Sequence, residues 1–299
     1  LVGLLLLTQA TLPTASKTTT STSTSATTTV TQSKDELKET VKEMSVDEKI
    51  GSLLILGFRG TVPSEHIKTL IERYHVGGVN LLKWNITDAE QTKKLTADLQ
   101  TLYKTKHTLP FIVAVDQEGG TVVRFKFLTE LTAQTKIKTE ADAKRVAEIR
   151  AKELSSLGIN MNFAPVVDYI TDKKSYLYNR TFATTTVGTI TLGKIMADTY
   201  MQNGVMPVFK HFPGYGNSTV NPHTAATQFT GTKEMFNQNI EVFKSLLTED
   251  TNIPVMTAHI VVPWVSSSPA TKSKKFMTEI LRDDFDYDGV VITDDLDMV

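Results

Sequence analysis

At 299 residues the chain is long enough for one large domain or two small ones, and a composition that is 40% hydrophobic and 22% charged is that of an ordinary globular protein with a sizeable core. Thirty-two Lys+Arg against 33 Asp+Glu leave a formal charge of −1, which excludes a broad basic field for nucleic acid or an anionic membrane surface and favours a neutral or locally read ligand. The absence of cysteine excludes disulfides and thiolate metal sites and fits either redox compartment.

The chain opens on LVGLLLL, an apolar run too short to span a bilayer, followed by Thr8-Gln9-Ala10, a small-x-Ala pattern suited to signal-peptidase cleavage. Residues 1–10 are read as part of a signal peptide, or as an anchor if left uncleaved, and the protein is expected outside the cell or at its surface. Residues 11–33 are mostly Thr, Ser and Ala, too poor in large apolar side chains to offset the entropy of ordering, and read as a disordered linker.

From residue 34 on, apolar runs of strand length alternate with longer stretches of helical period, as in repeated βα units with a parallel sheet. Ser45 with Glu48 three residues on is a capping-box pattern that opens a short helix. Strands are predicted at 53–58, 76–82, 111–116, 159–168, 205–211, 254–260 and 289–295. Helices are predicted between them at 64–73, 89–103, 140–157, 191–202, 232–247 and 274–282. Seven βα repeats without a glycine-rich phosphate fingerprint favour an α/β fold of the (β/α)8 TIM type over a doubly wound sheet. The sequence stops before an eighth strand can be nominated, so 34–299 is read as one barrel, truncated at its C-terminal side.

In such barrels the site lies at the C-terminal ends of the strands. Here several strands end on polar groups: Asp116, Asp168, Lys210-His211, His259 and Asp294-Asp295. A ring of Asp, Lys, Arg and His suits a polyhydroxylated ligand, whose hydroxyls both donate and accept. Glycoside cleavage needs a carboxylate on one face of the anomeric carbon and a proton donor for the departing oxygen. Asp294 ends the apolar strand GVVIT and is the candidate nucleophile; alternation turns its neighbour Asp295 to another face. The stretch KHFPGYGNSTVNPHT, 210–224, contains no acid, so a proton donor on it must be His211 or His223, and histidine is chemically adequate because it titrates near neutrality. His211 directly ends an apolar strand, which suits substrate binding; His223 sits far out in the loop, which suits an acid/base.

Taken together, DQEGGTVVRF (116–125), NMNFAPVVD (160–168), NRTF (179–182), KHFPGYG (210–216) with His223, VMTAHIVVP (255–263), SPATKS (268–273) and DGVVITDDLDM (288–298) resemble glycoside hydrolase family 3, in its β-N-acetylglucosaminidase (β-N-acetylhexosaminidase) branch. The resemblance covers most of 44–299. It implies a retaining hydrolase acting on terminal β-linked N-acetylglucosamine, as in peptidoglycan fragments or chitooligosaccharides. It also implies Asp294 as nucleophile, His223 as general acid/base on the loop after the fifth strand, and Asp116, Arg124, Arg180, Lys210 and His211 at sugar-binding positions. The implied partner is a carbohydrate rather than nucleic acid, no integral membrane domain is expected after the leader, and no metal or organic cofactor is expected.

One position departs from the resemblance. The branch carries Asp-x-His in this loop, the aspartate orienting the imidazole and stabilising its protonated form; here the triplet is Asn221-Pro222-His223. An asparagine carbonyl can still accept a hydrogen bond and orient the ring but supplies no charge, so a weakened hydrolase is expected. A sugar-binding protein that kept the pocket, a family 3 β-glucosidase, and a metal-dependent hydrolase using His211, His259 and Asp294 are the alternatives. The last lacks the His-x-His pair on the first strand that such enzymes carry. Trp84 and Asn85 suit rim packing or the pocket, Met161, Met206 and Met256 the core, and Phe212 and Tyr215 either sugar stacking or loop anchoring.

Overall fold

The computed structural model describes residues 34–105, 107, 109–249 and 252–298. The leader and linker expected at 1–10 and 11–33 lie outside these residues. Two helices come first, α1 (Lys34–Glu43) and α2 (Val46–Ser52). The expected capping box opens α2: the Glu48 N–H donates to Ser45 Oγ at 3.2 Å, and the Ser45 N–H donates to Glu48 Oε2 at 2.7 Å. Each side chain thereby satisfies a donor that a helix start leaves open.

Strands and helices then alternate: β1 (Ile55–Gly57), α3 (Glu65–Tyr74), β2 (Gly78–Leu81), α4 (Ala89–Lys104), β3 (Ile112–Val115), α5 (Glu140–Ser156), β4 (Met161–Asn162), α6 (Thr186–Gln202), β5 (Met206–Pro207) and β6 (Phe209–Phe212). After them come β7 (Thr227–Gln228), α7 (Lys233–Glu249), β8 (Val255–Thr257), β9 (Ile260–Val261), the wide-turned π-type helix α8 (Lys275–Asp284) and β10 (Val291–Thr293). All seven predicted strands are present. The fifth is interrupted at Val208, and the sixth ends early because Ile260 and Val261 leave it to pair with β7. α6 starts five residues before its predicted start because Thr185 caps it, its side chain accepting from the Gly188 N–H.

Strands β1 to β5 run parallel in chain order, β6, β8 and β10 continue in parallel, and the Val166–Lys210 bridge joins the two groups. The result is a TIM-type α/β barrel wall of seven strand positions, with β1 and β10 at its two ends.

Alternation along the strands sorts the apolar residues into two cores. Ala114, Met161, Phe163, Met206, Val208 and Met256 fill the barrel interior, which makes the three methionines core residues as expected. Val113, Val115, Phe209 and Val255 face outward and pack with the helices. Phe212 belongs to this outer layer, edge-on to Phe243, Phe276 and Phe285 with ring centroids 5.4 to 6.2 Å away. It is a packing anchor, and truncating such a ring costs about 3–5 kcal/mol. Among the described residues no helix is long and apolar enough to cross a membrane.

Candidate active site

The same alternation carries charged side chains to the barrel mouth. On β3, Ala114 points inward, so Asp116 follows on the interior side; on β6, Lys210 follows Val208 in the same way. The Lys210 ammonium, only 2% exposed, lies 2.9 Å from Asp116 Oδ1 and 2.6 Å from Glu118 Oε1. Arg180 grips the other side of Glu118 with two hydrogen bonds of 2.7 and 2.8 Å, and Arg124 Nη2 lies 3.5 Å from Asp116 Oδ2. Burial alone would raise both carboxyls. For Glu118 the Arg180 and Lys210 charges outweigh it, for Asp116 those of Lys210 and Arg124, and both acids are held below the ordinary carboxylate range. Burial likewise disfavours the Lys210 charge, yet Glu118 and Asp116 overcome it and raise its pKa.

Local sequence explains why Arg124 returns to Asp116. The Gln117 side-chain carbonyl accepts from the backbone N–H groups of Arg124 and Phe125 at 2.8 and 3.1 Å, folding the loop back on itself. Gly119 sits at φ 91°, and a Cβ there would fall 2.1 Å from the Thr132 carbonyl, so only glycine fits. Fully buried Arg150 pins the loop through Nη1 to the Glu118 carbonyl at 2.7 Å and Nη2 to the Thr132 carbonyl at 2.9 Å.

His211 is held from three sides. Asp168 Oδ2 accepts from its backbone N–H at 2.8 Å and lies 2.8 Å from Nδ1, while Arg180 Nη2 lies 3.3 Å from Nε2. A carboxylate only accepts and a guanidinium only donates, so this arrangement selects the Nδ1–H tautomer with Nε2 accepting. Asp168 Oδ1 also accepts from the Tyr215 N–H at 2.9 Å.

On β10, Ile292 points into the barrel and Asp294 continues on that side. Its charge is felt by Tyr215 and Tyr176, whose hydroxyl pKa values are raised first by burial and further by Asp294 and Asp168 for Tyr215, and by Tyr215, Asp168 and Asp294 for Tyr176. Asp295 is exposed, and its carboxylate accepts from the Asp297 N–H within its own turn.

The loop after β6 is pinned as far as Ser218, whose carbonyl accepts from Ser175 Oγ at 2.9 Å and the Tyr176 N–H at 3.3 Å. It is caught again at β7. Between these anchors Asn221 and His223 are exposed. The Asn221 carboxamide oxygen accepts from the His223 backbone N–H at 3.1 Å, and its backbone carbonyl accepts from the Thr224 N–H at 2.9 Å. The oxygen that could have oriented the imidazole meets the His223 backbone of the turn instead. Asp116, Arg124, Arg180, Lys210, His211, His223 and Asp294 nevertheless line one cavity of about 1560 Å³.

The glycosyl hydrolase family 3 N terminal domain matches residues 45–299 of the sequence. The chain belongs to glycosyl hydrolase family 3. It is 34% identical over 261 residues to beta-hexosaminidase A of Pseudoalteromonas piscicida, covering 80% of this chain and 44% of that protein. The beta-hexosaminidase of Chromobacterium violaceum is 34% identical over 233 residues, covering 75% of this chain and 64% of that one. Among solved structures, a family 3 beta-N-acetylglucosaminidase from Paenibacillus sp. str. FPU-7 matches with a TM-score of 0.80 at 31% identity, covering 85% of this chain and 50% of that one. NagZ from Neisseria gonorrhoeae, in complex with N-trifluoroacetyl-D-glucosamine, matches with a TM-score of 0.72 at 29% identity, covering 82% and 74%. The chain thus spans about half the length of the Pseudoalteromonas and Paenibacillus proteins.

Within this family 3 barrel Glu118, paired with both Lys210 and Arg180, was not among the residues expected at the site. The signal was available: Glu118 lies two residues after Asp116, the spacing that returns a side chain to the same side of an extended chain. Asp168 was noted as a strand end, but its grip on His211 depends on a contact 43 residues away. Asn80, whose Nδ2 lies 3.5 Å from Asp116 Oδ2, carried no signal. Trp84 and Asn85 both donate to the Phe58 carbonyl, Trp84 also lining the cavity, and buried Tyr215 anchors its loop edge-on against Tyr176 and His211. The metal-hydrolase alternative fares poorly, since His211 has both ring nitrogens engaged, Nδ1 by Asp168 and Nε2 by the Arg180 guanidinium, and among the described residues His211, His259 and Asp294 do not converge within ligand distance.

Proposed function

We propose that this barrel is the catalytic domain of a retaining glycosidase that releases terminal β-linked N-acetylglucosamine from peptidoglycan fragments or chitooligosaccharides. The observation that carries the reading is the division of labour between two histidines on one loop. Both ring nitrogens of His211 are occupied, which leaves His223 as the cavity-lining histidine able to move a proton, alongside Asp294, a carboxylate with no ion pair among the described residues.

In the first step Asp294 attacks the anomeric carbon as the glycosidic bond breaks, and the departing oxygen takes a proton from His223. In the second, His223 withdraws a proton from water as that water displaces Asp294, which restores both groups and the original anomeric configuration. Asp116 accepts from sugar hydroxyls, Arg124, Arg180 and Lys210 donate to them, and His211 steadies the ring.

The family assignment supports the chemistry, and the names of the relatives support N-acetylhexosamine over glucose as the sugar. A second reading, a sugar-binding protein with little turnover, is favoured by Asn221, which gives His223 no charged support and is itself spent on the turn. Hydrolysis of a chromogenic N-acetyl-β-glucosaminide, with the first-formed anomer followed by NMR, separates the two. The β-anomer, lost in Asp294→Ala, supports the hydrolase; sugar binding without turnover supports the second reading, and preferential cleavage of the β-glucoside would replace the substrate assignment.

A further inference from the structure

Glu48, His75 and His107 come together on the opposite pole of the barrel from the mouth. Glu48 is in the first turn of α2, His75 is the left-handed C-cap of α3 at φ 55°, and His107 lies between α4 and β3. Each therefore precedes a strand, whereas the groups at the cavity mouth follow theirs. One ligand atom from each of the three lies within 4.8 Å of the others. None of the three lines the cavity that holds Asp294 and His223.

The packing that assembles the cluster is specific. Gly51 is pressed against the end of α3, where a Cβ would fall 2.0 Å from the Tyr74 carbonyl oxygen and 2.7 Å from that of His75. Only glycine allows α2 to lie this close, and Glu48 sits one turn back along the same helix. Tyr103 stacks on the His107 ring at 4.2 Å and 22°, and the His75 ring meets it edge-on at 5.3 Å.

Two ring nitrogens in this cluster, His75 Nδ1 and His107 Nε2, are buried and have no hydrogen-bond partner. Buried polar atoms are nearly always paired, so two such atoms in one cluster with a carboxylate call for a shared partner. The Ile71 carbonyl accepts from the His107 ring, and because Nε2 has no partner that bond falls at Nδ1 and Nε2 keeps its lone pair. A ring N–H held by a backbone carbonyl while the other nitrogen faces a cation is the usual support of a metal-binding histidine. Glu48 already accepts the Ser45 N–H at Oε2, which fixes the carboxylate and leaves Oε1 available.

We propose that Glu48, His75 and His107 form a structural binding site for one divalent cation of the zinc class, which ties α2, the end of α3 and the approach to β3 together. Two imidazoles and a carboxylate are a donor set of that class, with water completing the tetrahedron.

The test uses the full chain stripped of metal by chelation and titrated with zinc sulfate, with stoichiometry, affinity and melting temperature measured. The wild type binds one zinc per chain and melts at a higher temperature when loaded. His107→Gln and Glu48→Gln each weaken that binding at least about tenfold, as expected when one of three protein ligands is lost, with circular dichroism and metal-free melting temperature checking the fold; glutamine retains the helix cap at position 48. His223→Ala, at the cavity mouth, binds zinc as the wild type does. The proposal is overturned if the wild type takes up no zinc, if neither glutamine variant weakens binding, or if His223→Ala abolishes it. Should both glutamine variants fold poorly, cobalt titration of the wild type decides: a spectrum of tetrahedral nitrogen and oxygen coordination supports the site, and an octahedral aquo-like spectrum overturns it.

Discussion

The two histidines of one loop stand in opposite environments. His211 is buried at the end of β6, fastened at Nδ1, Nε2 and its backbone N–H. His223, twelve residues later, is exposed on the tip beyond Ser218, and its backbone N–H donates to the Asn221 oxygen. A ring whose lone pairs are committed positions a ligand well and moves protons poorly; a ring that is free does the reverse. In the proposed mechanism the loop separates binding from proton transfer by how firmly each end is tied down.

The largest effect should come from opposite the loop. Asp294→Ala is expected to lower turnover of an N-acetyl-β-glucosaminide by roughly 10⁴-fold or more, because it removes the covalent route; kcat close to wild type would break the assignment. His223→Ala should cost about 10²–10⁴-fold in kcat with KM little changed. His211→Ala should instead act mainly on KM, and equal kcat losses in the two variants would erase the contrast.

The paired acids sharpen it through stability. Glu118→Ala strands Arg180 and leaves Lys210 with Asp116 alone, at a cost of about 3–5 kcal/mol in a urea titration. In the wild type, Glu118 and Asp116 have native pKa values below the ordinary 4.5 and 3.8. Their contribution is therefore present above that range and lost as pH falls through it towards the depressed values. Glu118→Gln should flatten this acid limb, and an unchanged limb would mean the pairing is not felt.

The smallest effect tests the departure in the loop. Asn221→Asp keeps an oxygen for the His223 N–H and adds a charge beside the imidazole. A gain of about tenfold in kcat is expected, well below the roughly 10⁴-fold that an orienting aspartate is worth where it already holds the ring. No gain would mean that the turn keeps this oxygen from ever reaching the ring.

Much of this was legible in the sequence because two periodicities carried it. Period two along VVIT and FIVAV put Asp294 and Asp116 inside the barrel and turned Asp295 away, and the Ser45–Glu48 spacing marked a helix start that is there. What was not legible rests on contacts distant in sequence. The grip of Asp168 on His211 and of Arg180 on Glu118, 62 residues apart, follows from the strands lying side by side in the barrel wall and from no local pattern. The Asn221 turn was missed for the opposite reason. An asparagine two residues before an N–H bonds the backbone as readily as a side chain, and local geometry won.

The central claim is that Asp294 becomes the covalent partner of the sugar. A fluorinated N-acetylglucosaminyl donor with a good leaving group, added to the protein and followed by peptide mass mapping, tests it directly. One sugar per chain is expected, attached within GVVITDDLDM at Asp294. A label on another residue, or full turnover of the parent substrate with no label at all, would contradict it.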